Sequence, residues 1–123
     1  MFEVEIERDF SAAHFLRGYP GDCSKVHGHN WLVTAAVAAE ELDALGMAVD
    51  FRVLRRSLDD VLSELDHSSL NGLEAFSERN PTSENIAKYI FDEFSQRIAG
   101  EGGASVIRVS VRESPGATAT YSP

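Results

Sequence analysis

Residues 2 to 10 alternate: Phe2, Val4, Ile6 and Phe10 fall on one parity, and Glu3, Glu5, Glu7 and Asp9 on the other. A period of two puts alternate side chains on opposite faces of an extended chain, so this segment reads as a half-buried strand. A second strand is expected from about His27 to Ala38, with His27, His29, Trp31, Val33, Ala35 and Val37 sharing one face. Between the two, Arg17 to Ser24 is a polar stretch containing glycine and proline, the composition of a loop.

The period then changes. Asp50 is a suitable N-cap for a helix running to about Leu65, on which Leu54, Leu58, Val61, Leu62 and Leu65 form one apolar stripe. Residues 66 to 81 read as a long polar connection ending in Asn80-Pro81. Thr82 or Ser83 caps a second helix, which has Ile86, Ile90, Phe94 and Ile98 on its apolar face and Glu84 in its first turn. Gly100, Gly102 and Gly103 end it. A third strand places Ile107, Val109 and Val111 on one side, and a short terminal strand is expected around Thr118 to Tyr121. The order ββααββ predicts a single α+β domain over residues 1–123, with a four-stranded antiparallel sheet carrying two helices on one face. The uncovered face and the edges of such a sheet favour homo-oligomerisation.

The 123 residues carry 11 basic and 20 acidic side chains, a formal charge of -9, with no Lys/Arg-rich stripe. This charge repels phosphate backbones and argues against a nucleic-acid partner. No apolar run is long enough to span a bilayer, so no membrane partner is expected. The N-terminus lacks the basic and apolar regions of a secretory signal, and the lone cysteine, Cys23, has no internal partner. These features favour the cytoplasm. Any anionic ligand would have to be held by a few basic groups acting against the global field.

Three of the four histidines raise the question of a metal. His27-Gly28-His29 puts two imidazoles on one face of a strand, with Gly28 leaving room for close backbone approach. His14, at the end of the first strand, joins them if the two strands pair as a hairpin. Three neutral imidazoles and one open position are a usual catalytic zinc arrangement. Spacing alone is equally compatible with ordinary core or surface histidines. Cys23 lies four residues before His27 in a polar segment, and both an inert and a reactive thiol fit there. Asp66-His67 follows the first helix as either a polar helix exit or a carboxylate orienting a proton-transferring imidazole. Glu113 continues the parity of Val109 and Val111, so its carboxylate points toward the buried face unless the strand has already reached solvent. On that face it is suited to accept two adjacent N–H donors of a planar ligand.

Taken together, Phe10-Ser11-Ala12-Ala13-His14, Cys23-x3-His27-Gly28-His29, Val49-Asp50-Phe51, Leu65-Asp66-His67-x-x-Leu70-Asn71, Asn80-Pro81-Thr82-Ser83-Glu84-Asn85 and Val111-Arg112-Glu113 resemble the 6-pyruvoyl/6-carboxy-tetrahydropterin synthase family. The motifs run almost end to end, and in this order they are highly specific. The resemblance implies zinc on His14, His27 and His29, Cys23 as proton acceptor, Asp66 and His67 as a proton-relay pair, and Glu113 as the pterin anchor. It also implies the T-fold, in which subunits assemble into a β-barrel, as hexamers of two trimers with active sites between subunits. The Cys-x3-His-Gly-His spacing is similar to the bacterial 6-carboxy enzymes of queuosine biosynthesis. These convert 7,8-dihydroneopterin triphosphate to 6-carboxy-5,6,7,8-tetrahydropterin, releasing acetaldehyde and triphosphate. Alternatives are 6-pyruvoyl-tetrahydropterin synthesis from the same substrate and, more remotely, a non-catalytic zinc-stabilised binding module. Lys25 and Arg17 are candidate triphosphate contacts on loop position alone. Ser68 departs from the pattern of many relatives, which have a second histidine after the Asp-His pair.

Overall fold

The computed structural model describes residues 1–123. Strands β1 (Phe2–His14) and β2 (His27–Ala39) form a long antiparallel hairpin whose register runs from Phe2 opposite Ala39 to His14 opposite His27. Helix α1 spans Phe51–Ser63, β3 is the two-residue Ser68–Ser69, α2 spans Ser83–Ile98, and β4 (Ser105–Ser114) and β5 (Ala117–Tyr121) complete the chain. The sheet order is β3-β1-β2-β4-β5. All pairs are antiparallel except β3, which lies parallel to the end of β1.

The expected α+β architecture is therefore present with one correction: the sheet has five strands and is mixed. The connection over residues 66–81 is also less polar than it reads. Leu70 and Phe76 within it are fully buried, and each sits in a short 3-10 turn.

Both helices cover the same face. Leu54, Leu58, Val61 and Leu62 of α1, with Leu65 beyond its end, meet β1, while Ile86, Ile90, Phe94 and Ile98 of α2 lie over β4 and β5. Phe10 and Trp31, opposite each other in the hairpin, stack with centroids 5.1 Å apart. Each large side chain buried in this layer contributes about 1.5–3 kcal/mol. Asp50 caps α1 by accepting from the Arg52 N–H, and Thr82 caps α2 by accepting from the Asn85 N–H. α1 ends at Ser63, two residues before the expected Leu65.

In β4 the expected face holds for Val109 and Val111 but not for Ile107. Ala36 pairs with Arg108 and Val37 with Val106, so Ile107 is bulged out of the ladder and Val106 takes the buried position. A second irregularity, against β5, falls between Arg112 and Ser114 and leaves Glu113 without a partner. The face away from the helices carries Glu3, Glu5, Glu7, Asp9, Arg108 and Arg112, and within one chain the sheet is open.

Candidate metal centre and cleft

Hairpin register brings the three imidazoles together. His14 lies opposite His27, and Ala12 opposite His29, so His27 and His29 flank His14 on the helix-covered face at the end of the sheet. Ring centroids are 4.5 Å apart for His14 and His27, 5.3 Å for His14 and His29, and 4.9 Å for His27 and His29. Trp31 closes the site from below, edge-on to both His14 and His29.

Two carbonyls set the tautomers. His14 Nδ1 lies 2.8 Å from Pro81 O, and His27 Nδ1 lies 2.7 Å from Lys25 O. A carbonyl only accepts, so both Nδ1 atoms carry hydrogen, and in the neutral rings both Nε2 atoms present lone pairs. Burial is the largest influence on His14 and holds its pKa below 6.5, which favours the neutral ring. Its Nε2 is buried with no hydrogen-bond partner and faces Glu113 Oε1 at 3.5 Å. His29 Nε2 lies 3.3 Å from the same oxygen. A carboxylate oxygen and a buried imidazole lone pair at this distance repel each other unless something positive lies between them. His14, His27, His29 and Glu113 offer ligand atoms within 4.8 Å of one another, and three imidazoles with one carboxylate suit zinc. The residues present therefore fit the metal that the sequence implies.

Strand alternation from Val109 and Val111 puts Glu113 on the face of this group, and the bulge leaves it free of a partner on β5. Glu113 also lines a cleft of about 780 Å³, together with Ser11, Gly28, His29, His67 and Arg112. It therefore has two possible uses, as a fourth metal donor or as an acceptor for a ligand in the cleft. A methyl at Gly28 would lie 3.6 Å from Ala12 O, an ordinary contact, so close backbone approach does not require the glycine. Gly28 lies in the lining of the cleft.

His67 lines the same cleft, and Asp66 is bonded to it. Asp66 Oδ1 accepts from the Ser11 N–H at 2.9 Å and its Oδ2 lies 2.8 Å from His67 Nδ1. The Ser11 N–H and then His67 hold the Asp66 carboxyl below its usual pKa. His67 adopts φ 57°, a left-handed conformation uncommon for a side chain of this size, and its N–H donates to Ser11 O. The imidazole is thus mostly exposed, on a strained but pinned backbone at the cleft wall.

The remaining candidates lie elsewhere. Cys23 is exposed on the 3-10 turn Asp22–Ser24 and does not line the cleft of its own chain. Lys25 is exposed, and it is its carbonyl that serves the site. The Arg17 guanidinium donates to the carbonyls of Arg79 and Asn71 at 3.4 and 3.5 Å. Sequence reasoning missed the supports: the Asn71 side chain both accepts from Phe15 N and donates to Phe15 O, and Asn80 does the same to Arg17. These two amides continue β1 past His14 as a further strand would. Their presence in Leu70-Asn71 and Asn80-Pro81 was visible, but not their partners.

An open mixed sheet backed by two helices, with a three-histidine centre at its end, defines the T-fold class. The chain belongs to the 6-pyruvoyl tetrahydropterin synthase family, whose model matches residues 3–123. Among curated proteins it is 38% identical to the 6-carboxy-5,6,7,8-tetrahydropterin synthase of Bacillus subtilis, over 99% of this chain and 86% of that protein. It is 35% identical to the protein of the same name from Synechocystis, over 89% of this chain and 85% of that one. The solved 6-pyruvoyl tetrahydropterin synthase of Caenorhabditis elegans superposes with a TM-score of 0.85 at 29% identity, covering 100% of this chain and 97% of that one. The Plasmodium vivax 6-pyruvoyltetrahydropterin synthase shares the fold, with a TM-score of 0.77 at 21% identity over 98% of this chain and 96% of that one.

Proposed function

We propose that the chain converts 7,8-dihydroneopterin triphosphate to 6-carboxy-5,6,7,8-tetrahydropterin, with release of acetaldehyde and triphosphate, in queuosine biosynthesis. The observation that carries this reading is the convergence of His14, His27 and His29 beside a cleft lined by His29, Glu113 and His67. The names of the relatives from Bacillus and Synechocystis support the 6-carboxy product.

In this reading His14, His27 and His29 hold zinc. Bound there, the metal supplies a Lewis acid that lowers the pKa of substrate hydroxyls. Glu113 accepts the ring amide and amino hydrogens of the pterin in a bidentate pair and so fixes the ring. As a fourth metal donor it would instead close the site to substrate, since a catalytic centre keeps one position open. Cys23 takes the proton from the side-chain carbon adjoining the ring. His67, oriented by Asp66, moves protons at the neighbouring hydroxyl as the side chain is cleaved. Cys23 stands apart from the cleft of its own chain, which suits a site completed by a second copy. Open edges at β3 and β5 would allow the copies to join into a barrel, as a hexamer of two trimers.

Zinc-loaded protein incubated with dihydroneopterin triphosphate should release one acetaldehyde per pterin consumed. A pterin product that retains all three side-chain carbons would replace this reading with 6-pyruvoyl synthesis, the activity named for the Caenorhabditis elegans relative.

A further inference from the structure

Two arginines of β4 share the polar face of the sheet but have different surroundings. Arg108 lies 3.3 Å from Glu3 Oε2 and 3.8 Å from Glu5 Oε2, so its charge is taken up locally. Arg112, further along the same strand, lies opposite Leu32 on one side and Thr118 on the other. It is exposed and forms no ion pair. Arg17, Lys25, Arg55, Arg56 and Arg79 form none either, but none of them lines the cleft. Arg112 is the only Lys or Arg that does.

The cleft wraps around the end of the sheet. His29 and Glu113 reach it from the helix-covered face, and Gly28, Asn30 and Arg112 from the polar face. Asn30 Oδ1 accepts from Ser11 Oγ at 2.5 Å, which leaves the Asn30 amide hydrogens directed to no protein acceptor. A net charge of -9 opposes the approach of a polyanion to the molecule as a whole. An unpaired guanidinium beside the neutral Asn30 amide offsets that field locally and matches phosphate geometry with two parallel N–H donors. The two basic residues suggested by loop position do not compete for this role, because Arg17 is engaged with carbonyls and neither Arg17 nor Lys25 lines the cleft.

We propose that Arg112 receives the phosphate chain of the cleft's ligand, with Asn30 as a neutral second donor, and so selects phosphorylated over unphosphorylated pterins. This rests on the reading of the ligand as a pterin triphosphate. The ring and side-chain hydroxyls lie on the Glu113 and histidine side, and the phosphates cross to the polar face.

Zinc-loaded wild-type protein and Arg112→Ala, matched for zinc content, are compared with three probes: dihydroneopterin triphosphate as substrate, inorganic triphosphate as competitor, and neopterin as the unphosphorylated ligand. In Arg112→Ala, inhibition by inorganic triphosphate should weaken about 10- to 100-fold, the usual loss for a charge-assisted contact. KM should rise more than kcat falls, neopterin affinity should change far less, and Arg112→Lys should recover part of the loss. Undiminished inhibition by inorganic triphosphate in folded Arg112→Ala overturns the proposal, as does an equal loss of neopterin and triphosphate binding. Wild-type protein that does not turn over the pterin, yet binds inorganic triphosphate in an Arg112-dependent manner, refutes the proposed reaction and leaves the anion site standing.

Discussion

Two backbone carbonyls decide what the imidazoles of this chain can do. Pro81 O and Lys25 O each take the Nδ1 hydrogen of a histidine, which turns the Nε2 atoms of His14 and His27 into lone pairs aimed at the same region. Glu113 brings a carboxylate to that region, so acceptors face one another in a partly buried site and a cation is what reconciles them. Cys23 belongs to a different place, exposed on its turn, and this gives its proposed role a clear test. Cys23→Ala should keep the fold, zinc content and pterin affinity, while turnover measured under saturating substrate falls about 10²- to 10⁴-fold, the usual worth of a positioned base. A near-wild-type rate would assign the proton to another group, and His67 is the one at the cleft wall. At this scale the sequence made His27 and His29 legible through their i, i+2 spacing. His14 needed hairpin register, and the two carbonyls left no trace in residue type.

The hairpin and the helices were legible for a simple reason: their periodicities are long enough to fix which face is buried. Residues 66–81 were not, because a two-residue strand and two single-turn 3-10 segments have no period. Their order comes from particular contacts instead, namely the buried Leu70 and Phe76 and the paired amides of Asn71 and Asn80. The bulges of β4 were likewise hidden, since an extra residue in a ladder changes parity without changing composition. The cap of α2 links this segment to the three-histidine cluster. Thr82 accepts from Asn85 N–H, Asn85 Nδ2 donates to Asn80 O, and Pro81 between them holds His14. Thr82→Ala should therefore cost about 1 kcal/mol of stability, read by denaturant unfolding. It should also lower zinc affinity, read by chelator competition. Lost stability with unchanged zinc affinity would mean that Pro81 keeps its place without the cap.

Across the whole molecule, one end of the sheet collects the chemistry. The helix-covered face supplies three imidazoles and Glu113, the connection after α1 supplies Asp66 and His67, and the polar face supplies Arg112. The chain as a whole is strongly acidic, and Arg112 is the one basic side chain that lines the cleft. No helix is long and apolar enough to cross a membrane. The sheet remains open within one chain, and the separation of Cys23 from the cleft is consistent with the proposed completion of the site by a second copy. All of this depends on His14, His27 and His29 acting as one zinc centre with a position left for substrate. Zinc-edge X-ray absorption on the zinc-loaded protein tests that most directly. The expected result is one zinc per chain with three imidazole nitrogens at about 2.0–2.1 Å, one further oxygen or nitrogen ligand and no sulfur, the centre being lost in His27→Ala and in His29→Ala. A sulfur ligand at about 2.3 Å, or full zinc occupancy in both variants, would contradict it.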